Sequence, residues 1–172
     1  MGVIEVSQEL LDVVDENDQI VSVKTRGEIH AKGLMHRAVH ILVFNHQGDL
    51  FIQKRSMSKD ESPGLWDTSA AGHVDSGEDY DNCAIRELFE ELGITVQSPL
   101  KRLFKLQPKM LSGMEHNTVY SYIDDGPFQL QEEEIDEGIW ISKINMDQRV
   151  ASADPSLTSV VCQIWRQFRQ FK

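Results

Sequence analysis

Residues 72–94 read GHVDSGEDYDNCAIRELFEELGI, and this stretch decides the fold. Between Asp79 and Leu92 the apolar residues recur at helical spacing, so the sequence predicts one amphipathic helix. Gly93 follows the last periodic residue, where a glycine commonly ends a helix in the left-handed conformation. The predicted apolar arc of this helix consists of Ala84, Ile85, Leu88, Phe89 and Leu92.

Three carboxylates accompany the apolar arc. Glu87, Glu90 and Glu91 stand at i, i+3 and i+4, so they share one side of the predicted helix. Like charges at this spacing repel each other, and a cation between them would reverse the sign of the interaction. Oxygen ligands at this density suit Mg²⁺ or Mn²⁺ better than Zn²⁺, which prefers nitrogen and sulfur. The alternative is a solvated acidic face, the usual fate of a run of charges.

The whole stretch matches the pattern G-x5-E-x7-R-E-U-x-E-E-x-G-U, in which U is aliphatic. The chain therefore resembles the Nudix hydrolases, whose signature this pattern is. The resemblance implies an α/β fold, a Nudix-type α/β/α sandwich with a mixed β-sheet, and hydrolysis of a small-molecule diphosphate linked to an organic group X. The matching residues are Gly72, Glu78, Arg86, Glu87, Leu88, Glu90, Glu91, Gly93 and Ile94.

The resemblance also assigns roles within the motif. It implies that Glu87, Glu90 and Glu91 bind catalytic Mg²⁺ or Mn²⁺, together with the backbone carbonyl of Ala71. Such a metal lowers the pKa of bound water and stabilises charge on phosphoryl oxygens. The resemblance also implies that four further residues support the motif and that Glu78 and Arg86 form an ion pair. These are Gly72, Glu78, Arg86 and Gly93.

The base that deprotonates the attacking water is left open by the sequence. Some members of the family use the first glutamate of the Arg-Glu pair, here Glu87, and others use a carboxylate on a loop. The loop candidates are Glu115 and the run at 132–134. For that run, a solvated loop is the alternative interpretation.

A second resemblance covers residues 50–78, LFIQKRSMSKDESPGLWDTSAAGHVDSGE. This stretch is similar to isopentenyl-diphosphate isomerase, a Nudix-fold enzyme that does not hydrolyse its substrate. It implies that Arg55 and Lys59 bind the diphosphate. However, Ala71 stands where the isomerase has a catalytic cysteine, and a methyl group cannot transfer a proton. We therefore expect a hydrolase, with an isomerase or a non-catalytic nucleotide-sensing module as the alternatives.

The isomerase resemblance also implies a second metal site. It places His36, His73 and Glu115 close together, and such a set suits Zn²⁺ or Mn²⁺. Asn117, a weaker ligand, stands where the isomerase has a second glutamate. The alternative is that His73 hydrogen-bonds a neighbouring loop and that His36 caps a strand.

The composition indicates which classes of binding partner and which location to expect. The net charge of −11 disfavours a nucleic-acid interface, which needs clustered Lys and Arg. No apolar run approaches the length that spans a membrane, and the amino terminus lacks the apolar segment of a signal peptide. Cys83 and Cys162 form no motif, which favours a reducing, cytoplasmic location.

The organisation predicted is one Nudix hydrolase domain over residues 1–172, with 1–32 as an N-terminal extension. A polar turn at 15–18 predicts a hairpin in this extension, and we expect it to serve a homodimer. Further along, the expected order is strands, the central helix, strands and terminal helices. The predicted strands are 36–45, 49–55, 66–72, 100–107, 114–123 and 139–141; an acidic loop is predicted at 131–137, and the final helices at 142–149 and from near Pro155 to Phe171.

Overall fold

The computed structural model describes residues 8–171. Nine strands are present in this range: β1 Leu10–Val14, β2 Ile20–Thr25, β3 His36–Phe44, β4 Leu50–Arg55, β5 Trp66–Asp67, β6 Ala70–His73, β7 Lys101–Leu106, β8 Glu115–Ile123 and β9 Ile135–Ile141. The α-helices in the same range are α1 Arg26–Lys32, α2 Tyr80–Leu92, α3 Lys143–Ala151 and α4 Ser159–Gln170.

A seven-stranded mixed sheet forms the centre of the molecule. Strands β5, β4, β3, β8 and β7 follow one another across it, while β6 pairs with β3 and β9 pairs with β4. The β3–β8 pairing is parallel and the other pairings are antiparallel. Helix α2 packs on one face of this sheet, and α3 and α4 pack on the other. The predicted α/β/α sandwich is therefore confirmed.

Helix α2 has the ends that the sequence predicted. The Asp79 carboxylate accepts a hydrogen bond from Asn82 N–H at 2.7 Å, and Gly93 adopts φ 70°. The predicted apolar arc is wrong in part, because Ile85 and Phe89 are 42% and 61% exposed. The helix is rotated so that its buried arc is centred on the side that carries two of the glutamates.

The sheet divides between β3 and β4. These strands pair only at Val43–Phe51 and Phe44–Leu50, and then diverge. Ser69 bridges the divergence, because its Oγ accepts from Val43 N–H at 2.7 Å and donates to the Phe51 carbonyl at 2.5 Å. The gap beyond this bridge holds β5 and β6 and leaves an opening in the sheet.

Three predicted boundaries differ from the structure. The strand expected at 66–72 is divided into β5 and β6, because the chain crosses from β4 to β3 between them. The acidic loop expected at 131–137 ends early, since β9 begins at Ile135 and pairs with β4. Helix α4 begins at Ser159 rather than near Pro155, because the Thr158 hydroxyl accepts from Val161 N–H as its N-cap.

The N-terminal hairpin is present as predicted, with β1 and β2 antiparallel. It is fastened to the rest of the molecule where Leu11 pairs with Asp75 and where Arg37 Nε donates to Asp18 at 2.6 Å. Residues 1–7 of the predicted extension lie outside the described residues. Within residues 8–171, no helix is long and apolar enough to cross a membrane.

Candidate active site

A cavity of about 770 Å³ lies at the opening in the sheet. Strand β6, which carries the motif residue Gly72, lies in the middle of the cavity, and Ala71 and Gly72 are part of the lining. One wall carries glutamates of α2, and the other runs from β3 and β5 to the start of α4. Lining side chains with chemical interest include His40, Arg55, Lys59, Asp67, His73, Arg86, Glu87, Glu90, Glu115, Glu133 and Glu134.

The glutamates of α2 face β6 at very short range. A Cβ atom on Gly72 would lie 2.0 Å from Glu87 Oε1, so any larger residue there would displace the Glu87 carboxylate. The backbone N–H of Ala71 donates to Glu91 Oε1 at 2.9 Å, and the Gln53 amide lies 3.4 Å from the same oxygen. Glu87 and Glu91 are buried, whereas Glu90 is exposed. The spacing seen in the sequence thus becomes one cluster at the cavity wall.

Burial makes this cluster electrostatically costly. It raises the pKa of Glu91 to about 8, although the Ala71 hydrogen bond opposes the rise, and Glu134 adds repulsion. Burial and the neighbouring Glu91 also raise the pKa of Glu87 well above its usual value. A cation bound by these carboxylates would relieve the repulsion, and their hard oxygen atoms fit Mg²⁺ or Mn²⁺.

Arg86 holds the motif together. Its Nε and Nη2 donate to the two carboxylate oxygens of Glu78 at 2.9 Å, and Nη2 also donates to the carbonyl of His73 at 3.1 Å. Its Nη1 donates to Glu87 at 2.9 Å and to Glu90 at 3.1 Å. The pair with Arg86 lowers the pKa of Glu78 despite its partial burial. The implied Glu78–Arg86 ion pair is therefore present and ties the loop to α2.

The two basic residues singled out in the sequence both line the cavity, and both are held by acceptors. Arg55 Nε donates to the Glu61 carbonyl at 3.0 Å, and its Nη1 lies 3.6 Å from Asp67 Oδ2. The Lys59 ammonium forms a short ion pair with Glu134. These contacts keep both cations on the cavity wall, where a polyphosphate could reach them.

A second ionisable cluster joins four elements at the far end of β6. His73 Nε2 lies 3.1 Å from Glu115 Oε1, and His36 Nε2 lies 3.5 Å from the same oxygen. A further member, His30 of α1, was not among the residues that the sequence predicted for this site. One ring nitrogen from each of the three histidines lies within 4.8 Å of the others. The sequence contains His30 six residues before His36, but only the turn between α1 and β3 brings the rings together.

The charges in this second cluster are balanced within it. Burial would raise the pKa of Glu115, but its contacts with His36 and His73 hold that pKa far below its usual range. Burial likewise opposes protonation of His36, yet Glu115 raises the pKa of that imidazole. Nearby, the amide of Asn117 is fully buried and has no hydrogen-bond partner among residues 8–171.

Two buried residues that the sequence did not single out line the wall opposite α2. His40 Nδ1 lies 2.7 Å from Thr68 Oγ1 and 3.9 Å from Asp67 Oδ1. Burial lowers the pKa of His40, because the charged ring would be desolvated. The Thr68 N–H donates to Asp67 Oδ1 at 2.7 Å. A single histidine in an apolar strand carries no sequence signal that would have revealed this arrangement.

The sequence profile of the NUDIX domain matches residues 34–158. A Pseudomonas aeruginosa protein called uncharacterized Nudix hydrolase PA4841 is 41% identical over 135 residues, 77% of this chain and 78% of that protein. Isopentenyl-diphosphate Delta-isomerase 2 of Photorhabdus laumondii is 31% identical over 150 residues, 84% of each chain.

Solved structures share the fold. The crystal structure of DR0079 from Deinococcus radiodurans superposes with a TM-score of 0.81 at 27% identity, and covers 92% of this chain and 98% of that one. The Nudix domain of Shewanella oneidensis NrtR, solved with ADP ribose, gives a TM-score of 0.61 at 18% identity over 86% of this chain and 98% of that one. The second likeness concerns the fold alone.

Proposed function

Because this chain belongs to the Nudix hydrolase family, we propose that it uses Mg²⁺ or Mn²⁺, held by the glutamates of α2, to hydrolyse a small organic diphosphate. Its family makes it a pyrophosphohydrolase. The observation that carries the choice of site is the buried pair Glu87 and Glu91, whose pKa values are raised, with Glu90 beside them. Glu87 and Glu90 line the cavity. The Ala71 carbonyl completes the proposed ligand set.

The proposed reaction is attack of water on phosphorus. A divalent ion held by these glutamates would acidify water and neutralise phosphoryl oxygens. Arg86 fixes Glu87 and Glu90, and Glu78 fixes Arg86, so the carboxylates are positioned before substrate arrives. Arg55 and Lys59 donate to the diphosphate oxygens, where negative charge grows in the transition state.

Glu134 is the base that the geometry favours. Glu134 lines the cavity and forms an ion pair with Lys59. It also lies close enough to Glu91 to raise the pKa of Glu91. Glu115 is a poorer candidate, because its contacts with two histidines hold its pKa low. Glu87 is engaged by Arg86 and serves better as a ligand.

We also propose that the second cluster holds a separate metal ion. Histidine nitrogens and a carboxylate suit Zn²⁺ or Mn²⁺, and Nε2 of His36 is buried without a hydrogen-bond partner among the described residues. The proposed ligands are His30, His36, His73 and Glu115. The same cluster is the feature that favours an isomerase as the second candidate function.

Ala71 argues against that second candidate. Its side chain is a methyl group, which cannot deliver a proton to carbon. We expect no deuterium uptake when isopentenyl or dimethylallyl diphosphate is incubated with the protein and Mg²⁺ in D₂O, as followed by proton NMR. Uptake above a blank without protein would establish the isomerase.

The hydrolase itself is tested by a screen of organic diphosphates with Mg²⁺ and with Mn²⁺, in which the released phosphate species are identified. We expect metal-dependent release from at least one compound, and no release with the metal chelated. A protein that binds the compounds without cleaving any of them would instead be the sensing module.

A homodimer through the N-terminal hairpin stays a prediction. Ile20, Val21 and Val23 of β2 are 46–62% exposed, and β2 pairs only with β1 among the described strands. Sedimentation equilibrium of the wild-type protein and of Val21→Lys tests it. A monomer in both preparations would contradict the prediction.

A further inference from the structure

The cavity wall opposite α2 is polar and lacks a surface for a hydrocarbon or a stacked base. Among the described lining residues, none is Phe, Tyr or Trp, and the apolar side chains are Ala38, Ala71, Met110 and Val160. Prenyl and aromatic groups bind in pockets lined mainly by apolar and aromatic side chains. An X group that fits this wall is therefore hydrophilic.

His40 presents a hydrogen-bond acceptor. Thr68 Oγ1 contacts two groups, the Ala70 carbonyl at 3.3 Å and His40 Nδ1 at 2.7 Å. A carbonyl cannot donate, so the assignment that satisfies both contacts has Thr68 donate to Ala70 and accept from His40 Nδ1. This arrangement puts the ring proton on Nδ1 and leaves Nε2 as the acceptor of the neutral imidazole. His40 is 4% exposed and lines the cavity.

Asp67 presents a second acceptor beside it. A carboxylate can accept about four hydrogen bonds. The described contacts of Asp67 are the Thr68 N–H at 2.7 Å, Arg55 Nη1 at 3.6 Å and His40 Nδ1 at 3.9 Å. Only the first is a hydrogen bond of ordinary length, although Asp67 is 4% exposed. Buried acceptors that are incompletely satisfied favour a ligand that brings donors.

The position of this wall relative to the proposed reaction is set by the β3–β6 register. His40 pairs with Ala71, whose N–H contacts Glu91 on the catalytic side. A diphosphate bound beside the glutamates would therefore extend its organic group past Ala71 toward His40 and Asp67. We infer that X is a small hydroxylated group whose hydroxyls donate to Asp67 and to His40 Nε2. This inference rests on the proposed function.

Two esters with the same carbon skeleton test it, namely 2,3-dihydroxypropyl diphosphate and n-propyl diphosphate. A site built to hydrogen-bond a hydroxyl discriminates strongly against the analogue that lacks it, so we expect kcat/KM to favour the dihydroxypropyl ester by about tenfold or more. Asp67→Asn and His40→Asn should each reduce this preference. Asp12→Asn is the matched control, because Asp12 is also a buried aspartate but accepts from Ser76 Oγ, away from the cavity lining.

The outcomes separate the inference from the proposed function. Equal use of both esters by the wild type, or a preference that survives in Asp67→Asn and in His40→Asn, overturns the inference. If Asp67→Asn slows both esters equally, Asp67 positions Arg55 and does not recognise X, which also overturns its assignment. Calorimetric titration of methylenediphosphonate into protein already saturated with Mn²⁺ reports on the diphosphate site. If the wild type does not bind methylenediphosphonate, the proposed function is wrong. If it binds methylenediphosphonate but shows no ester preference, only the inference is wrong.

Discussion

The glutamates of α2 and the histidine cluster adjoin one cavity but are built in opposite ways. Glu87, Glu90 and Glu91 come from a single helix, so their neighbourhood follows from a local repeat. The histidine cluster draws one residue each from α1, β3, β6 and β8, separated along the chain and joined by the β3–β8 and β3–β6 registers. The first cluster follows from residue spacing within one helix, and the second forms only when the strands of the sheet pair.

Their charges differ in the same way. Burial raises the pKa of Glu91 to about 8 and raises that of Glu87, so the carboxylates resist ionising side by side. In the other cluster, Glu115 has a lowered pKa and His36 a raised one, because each stabilises the charge of the other. The comparison teaches that the first cluster needs a cation from outside, whereas in the second a bound metal ion would take the place of the protons on the histidines.

The largest expected effect comes from Glu91→Gln. Loss of one ligand charge should reduce metal-dependent kcat/KM by ~100-fold or more, comparable to losing one strong electrostatic stabiliser of a transition state. Steady-state kinetics with Mg²⁺ on a substrate found by the screen measures it. Glu132→Gln is the control, since that glutamate is exposed and lies outside α2. Wild-type turnover in Glu91→Gln would remove the active site from α2.

His73→Ala separates the two clusters. Protein purified without added metal should retain Mn or Zn, and this variant should lose it, with at least the ~10–100-fold drop in affinity that follows loss of even an outer partner of a ligand. Glu91→Gln should keep the retained metal. Elemental analysis of the three preparations measures this. Equal, negligible metal in all three would leave the glutamates as the remaining proposed metal centre.

Arg55 and Lys59 connect with different clusters and sharpen the comparison further. Lys59 pairs with Glu134 beside Glu91, whereas Arg55 bonds Glu61, whose carboxylate lies 3.5 Å from His30. Each substitution by Ala should remove a charge-assisted contact worth ~1.5–3 kcal/mol, or about tenfold or more in kcat/KM.

Lys54→Ala is the control for both variants, because Lys54 lies next to Arg55 on β4 and does not line the cavity. Unchanged kinetics in Arg55→Ala and Lys59→Ala would show that neither residue binds the diphosphate.

The smallest expected effect is on the pH dependence of the folding stability of the metal-free protein. The pKa of Glu91 is about 8 in the folded protein and near 4.5 when unfolded, so the folded protein retains a proton that the unfolded chain releases. This contribution is present in full below pH 4.5 and is lost as the pH rises through about 8. Glu91→Gln should therefore gain stability relative to wild type between pH 5 and pH 8.

Thermal unfolding in a chelator measures this difference, at ~2–4 °C in Tm for each ~1 kcal/mol. Added Mn²⁺ should stabilise wild type and reverse the order at pH 8. A constant difference in Tm from pH 5 to pH 8 would contradict a buried, protonated Glu91.

Much of the fold was predictable because it rests on local signals. The hairpins, the capped helix α2, Ser142 as the N-cap of α3 and the mixed sandwich all followed from spacing, turn residues and the motif. The misplaced residues were Ile85 and Phe89. Spacing centred the buried arc on apolar side chains, whereas the sheet buries the side that carries Glu87 and Glu91.

The sequence by itself determined the glutamate repeat, the Gly72 position and the basic residues Arg55 and Lys59, because each lies within one element or one continuous motif. The tertiary structure alone decided that His30 joins the histidine cluster and that His40 and Asp67 share a cavity wall. These residues meet through strand register and through the divergence of β3 from β4. Register depends on contacts between distant segments, and no local repeat in the chain encodes it.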